Sequence, residues 1–74
     1  MIAKNIFIGL NAGRDFIDGE YCIFLGDGAG EGITSERQLF ILKANVGEIR
    51  TRITKKQWQS FNDIIQGAIC KEKW

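Results

Sequence analysis

Apolar residues fall along this chain in four runs of strand character and one of helical character. Ile2 to Leu10 reads as a first strand, with Ile6, Ile8 and Leu10 on one face and Phe7 on the other. Glu20 to Leu25 reads as a second, in which Tyr21, Ile23 and Leu25 alternate with Cys22 and Phe24, so both faces are apolar and the strand is central or covered twice. Arg37 to Ala44 carries Leu39-Phe40-Ile41-Leu42 as a third. From Gly47 to Ile53 charged residues alternate with neutral ones, the period of a strand with one wet face. Thr54 to Gln57 then spaces a capping box, and Trp58, Phe61, Ile64, Ile65, Ala68 and Ile69 recur at helical spacing. Gly67 either ends that helix or sits inside it at about 1 kcal/mol. The expected fold is α+β: a single domain over residues 1–74, with a four-stranded antiparallel sheet followed by one C-terminal helix from about Lys55.

Turn signals fill the gaps. Asn11 to Asp15 is rich in turn formers, and Asp18-Gly19 is a hairpin signal. Asn45-Val46-Gly47 turns the third strand into the fourth in one of two registers. A three-residue loop sets Phe40 and Leu42 beside Arg50 and Arg52; a four-residue loop opposes Lys43 to Glu48 and sets Leu39 and Ile41 beside the arginines. Gly26 to Gly32 has glycine at every second position, yet it fits neither G-x-G-x-x-G nor a P-loop. As a calcium loop it lacks ligands, since Ala29 and Gln38 occupy the third and twelfth places. It reads as a mobile, acidic connector.

Composition narrows the classes. A chain of 74 residues buries only about 60% of its unfolded surface and usually needs a staple. Histidine is absent and two cysteines cannot close a zinc site, so neither metal nor cofactor is expected. Cys22 and Cys70 could pair, but no spacing demands it. Without a signal layout or a long apolar run, a cytoplasmic chain with reduced cysteines and no membrane contact is expected. That leaves self-association as the staple, and a homodimer as the expected assembly.

The net charge of +1 hides an asymmetry, since residues 1–36 carry −4 and residues 37–74 carry +5. Arg37, Lys43, Arg50, Arg52, Lys55 and Lys56 face only Glu48 within residues 37–56, a hint of a polyanionic partner or simply a solvated face. Lys55 and Lys56 stand in the first helical turn, where the dipole disfavours cations and a bound phosphate would reverse the sign. Lys71 and Lys73 suit the other end of that dipole, whereas Trp74 finds no role. Trp58 is either core packing or a platform for a base.

The order of four strands and a helix, ending Ile53-Thr54-Lys55-Lys56-Gln57-Trp58-Gln59-Ser60-Phe61, resembles the positive cofactor four family of single-stranded DNA-binding coactivators over about fifteen residues. The family's Lys-Gly step is Thr51-Arg52 here, and the first strand holds only Lys4. The resemblance implies a dimer that holds single strands on basic and aromatic residues, with Arg50, Arg52, Lys55 and Lys56 on the backbone and Trp58 stacking. Lys43 joins these as a candidate contact. The expected function is therefore binding of single-stranded DNA or RNA. The alternative is a protein-interaction module, such as a small inhibitor or adaptor encoded by a virus or mobile element, which the acidic first half favours. An enzyme is not expected: a general base would have to be a carboxylate, cysteine or lysine, and Cys22 reads as core.

Overall fold

In the computed structural model, which describes residues 2–71, each of the first three expected strands breaks at one residue of left-handed backbone. Lys4 (φ 52°), Tyr21 (φ 59°) and Gln38 (φ 53°) are those corners. They divide the strands into β1 (Ile2–Ala3) and β2 (Ile6–Ile8), β3 (Asp18–Glu20) and β4 (Ile23–Leu25), and β5 (Ser35–Arg37) and β6 (Leu39–Ala44). β7 (Gly47–Arg52) and α1 (Lys55–Lys71) follow. The α+β class and the C-terminal helix stand as expected.

The strand directions do not. Asp18-Gly19 makes no hairpin; it lies within β3. β1, β3 and β5 form one parallel sheet, and β2, β4 and β6 form the parallel part of a second, with β7 added antiparallel to β6. Ile6 pairs with Ile23 and Ile23 with Phe40, seventeen residues on each time; Gly19 and Glu36 keep the same interval. The chain thus winds as a short solenoid whose coils stack strand on strand. The expected four-stranded antiparallel sheet survives only as the β6–β7 pair. An alternating apolar pattern looks the same in a parallel strand as in an antiparallel one, so direction had no sequence signature.

Inside the coils, Phe7 stacks on Phe24 at 4.8 Å between centroids, and Phe16 meets both edge-on at 5.2 and 5.6 Å. Cys22, Ala29, Leu39 and Ile41 complete this buried cluster. Gly26 to Gly32 is part of its wall and not a loose connector. Ala29 is fully buried, its N–H bonds Gly26 O, and its carbonyl accepts from Gly13 N–H. Gly30, at φ 74°, presses on the Phe24 ring, where a Cβ would come within 2.4 Å.

Polar groups finish both ends of the stack. In the first coil Asn5 occupies the level that Cys22 and Leu39 hold below it. Its amide donates to Gly19 O and accepts from Cys22 N–H. At the other end Gln38 Nε2 donates to Ile53 O, and Arg52 Nη1 donates to the Arg37 carbonyl and to Glu36.

Candidate functional site

The second hydrophobic cluster lies on the outside of the four-stranded sheet, where α1 begins. Thr54 Oγ1 accepts from Gln57 N–H at 3.0 Å while Gln57 Oε1 accepts from Thr54 N–H at 2.8 Å, so the expected capping box forms at both ends. That fixes the entry of the helix and drops Trp58 onto Ile23 and Ile53, with Ile6, Tyr21, Leu25 and Phe40 around it. Trp58 is 6% exposed; its Nε1–H donates to Cys22 O at 3.1 Å, and its ring meets Tyr21 edge-on. Trp58 is therefore a core residue, and its ring is not presented to a base. Phe61 tilts against Phe40 at 5.1 Å one turn later. Gly67 lies within the helix, which continues to Lys71. The side chains of Ile69, Cys70 and Lys71, and the whole of Lys73 and Trp74, lie outside the described residues.

Ion pairs hold two of the expected basic contacts, Arg50 and Arg52. Of the two hairpin registers the chain adopts the one that opposes Lys43 to Glu48, with Ile41 beside Arg50 and Leu39 beside Arg52. Arg50 Nε bonds Glu48 at 2.8 Å, and Arg52 bonds Glu36 at 2.7 Å. The Arg52 guanidinium holds the Glu36 carboxyl below the usual glutamate range. Lys55 Nζ stands 5.2 Å from the Tyr21 ring centre on the outer side of the sheet, a cation–π distance. Lys56 is exposed on the first helical turn. Arg50 and Arg52 share one face of β7, over the last coil, while Lys55 stands with Tyr21 outside the sheet. The six candidates, Lys43, Arg50, Arg52, Lys55, Lys56 and Trp58, do not come together as one strip.

A shallow cleft of about 490 Å³ beside the β6–β7 hairpin is lined by Gly28, Glu31, Lys43, Glu48 and Arg50 among others. Its walls mix both charge signs, so it selects neither anion nor cation. Among the described residues no group of three acidic, cysteine or histidine side chains could hold a metal ion. Cys22 is a free thiol raised above its ordinary pKa by burial, in keeping with a core role. No helix among the described residues is long and apolar enough to cross a membrane.

The feature that sequence reasoning missed is the row that crosses the outer sheet. Ile8, Leu25, Leu42 and Ile49 are partners in consecutive strands. Ile8, Leu42 and Ile49 are 45%, 40% and 61% exposed, and Ile64 on the helix is 68% exposed. The signal was an internal repeat. Ile6-Phe7-Ile8-Gly9 recurs as Ile23-Phe24-Leu25-Gly26, and Ala12-Gly13 recurs as Ala29-Gly30, at the interval of the coils. Fold and site together define a short solenoid that leaves part of one sheet face uncovered. Comparison with protein-family models, with curated proteins and with solved structures gives no match to the chain.

Proposed function

We propose that the chain is a protein-interaction module whose working surface is the outer apolar face of the four-stranded sheet, continued onto α1. One observation carries this reading. Ile8, Leu25, Leu42 and Ile49 form an unbroken apolar row across the sheet, in which Leu25 is half-buried and the other three are substantially exposed to water. Single exposed apolar residues are ordinary, but a contiguous row marks a contact surface. The solenoid supplies the rigid backing, and the chain performs no chemistry of its own.

Binding of single-stranded nucleic acid is the second reading, favoured by the exposure of Lys43, Arg50, Arg52, Lys55 and Lys56 together. Against it, Arg50 and Arg52 are already held by carboxylates and Trp58 is in the core. Each phosphate contact to a single strand adds about 0.7 to the slope of log affinity against log salt. Titration with labelled single-stranded DNA and RNA at two salt concentrations separates the readings. The interaction-module reading expects no salt-dependent binding. A steep slope that disappears on changing Arg50 and Arg52 to Gln would overturn it.

A further inference from the structure

We infer that the partner of this face is a second copy of the same chain; the inference rests on the interaction reading and names its occupant. The helix supplies the first argument. Its 17 residues extend about 25 Å at 1.5 Å per residue, and the packing of Trp58 and Phe61 on the sheet takes up only its first two turns. Beyond Phe61 the stripe goes on to Ile64, Ile65 and Ala68, with Ile64 and Ala68 exposed. The stretch beyond Phe61 is shorter than the roughly 12–15 residues an isolated helix needs in water, and helices in proteins draw most of their stability from packing of the apolar side. The stripe therefore asks for cover that the sheet beneath its first turns does not give.

The ends of the solenoid supply the second argument. Asn5 closes the first coil, while Gln38 and Arg52 close the last with hydrogen bonds to carbonyls. β7, the last strand of its sheet, carries Glu48, Arg50 and Arg52, the kind of charged edge that discourages strand addition. End-to-end stacking is thus resisted, and the side of the molecule remains for contact.

Area and charge decide between a copy and another partner. At roughly 150–250 Å² for a large side chain, the exposed fractions of Ile8, Leu42, Ile49, Phe61 and Ile64 amount to about 400–600 Å² of apolar surface. Two such faces together give about 800–1,200 Å², and a polar rim brings that to the size of specific interfaces, about 1,200 Å² or more. Alternation along β6 and β7 sends Lys43, Glu48, Arg50 and Arg52 to the opposite, coil-side face, so no charge of these two strands stands in the row, and the chain carries only +1 overall. Such a face repels no copy of itself and singles out no strongly charged partner. The same face on both copies makes the contact self-complementary, so it closes without forming a fibre.

Sedimentation of the full chain at micromolar concentration tests this, beside a double variant Ile49→Asp/Ile64→Asp. Both positions are exposed, so the far-ultraviolet circular dichroism of the variant should match that of the original chain. The expected result is a mass at least twice 8.4 kDa for the original chain and a single-chain mass for the variant. Val46→Asp, at a hairpin tip that is 99% exposed and off the row, should keep the larger mass. Should the double variant not fold, Ile64→Ser alone serves, with a lower assembled fraction expected at equal concentration. A single-chain mass for the original protein overturns the proposal, as does a larger mass that the variants leave unchanged. A monomer that also ignores nucleic acid would overturn the self-contact alone, whereas salt-dependent strand binding overturns the interaction reading beneath it.

Discussion

Two glycines of the second coil have nearly the same backbone and very different surroundings. Gly30 (φ 74°) lies against the Phe24 ring, whereas Gly32 (φ 84°) has nothing within 4 Å of a would-be Cβ. Alanine at Gly32 should cost only the left-handed strain of about 1–2 kcal/mol. At Gly30 the same strain is joined by displacement of a core aromatic ring, so Gly30→Ala should be the more destabilising in urea titration. Equal costs would mean that the Phe24 ring is not packed as described. Trp58→Ala should cost about 3–5 kcal/mol, since it empties a buried site and takes from the Cys22 carbonyl one of its two donors, leaving Ile6 N–H as the other. A Trp58 free to stack on bases would instead leave stability nearly unchanged. Burial of Trp58 was one of two roles open from its spacing on the helical stripe. What spacing alone did not give was the donor bond to Cys22, because that depends on where a corner carbonyl points.

At the scale of elements, the helix start was the most legible part of the chain, because Thr54 and Gln57 act locally and through their own backbone. Thr54→Ala should cost about 1 kcal/mol, read as a lower urea midpoint with unchanged slope. The strands were legible as apolar stretches but not as paired segments. Their breaks fall at Lys4, Tyr21 and Gln38, three residues with no turn chemistry, held in left-handed backbone by the coils around them. Asp18-Gly19 carried the stronger turn signal and lies within a strand instead, since tertiary pairing with β1 and β5 outweighs a local preference. The basic residues were legible as charge but not as ion pairs, because Glu36 precedes Arg52 by a whole β6–β7 hairpin. That pair also sets a pH dependence. Glu36 has a folded pKa below its unfolded value near 4.3, so its stabilising share is present above that value and lost as pH falls through the lowered one. The Arg52→Gln variant should lose less stability than the original chain over that acid range. A steeper acid loss in the variant would contradict the pairing.

For the whole molecule, the repeat at the coil interval was present in the sequence, most plainly in Ile6-Phe7-Ile8-Gly9 and Ile23-Phe24-Leu25-Gly26. The third coil hides it, because Phe40-Ile41-Leu42-Lys43 replaces glycine with lysine and the chain then reverses into β7. Once the coils are stacked, inward positions make the aromatic core and outward positions make a sheet that α1 covers only in part. Folding and association then draw on the same face, and anything that binds the folded state raises its apparent stability with concentration. The direct measurement is the thermal midpoint of the chain over a wide range of protein concentration, beside the Leu42→Asp variant. Leu42 lies mid-row and is 40% exposed, so its loss should cost a lone chain the roughly 1–2 kcal/mol of its buried part, lowering the midpoint without making it depend on concentration. The account predicts a midpoint that rises with concentration for the original chain and stays level for the variant. A midpoint independent of concentration in both would contradict it.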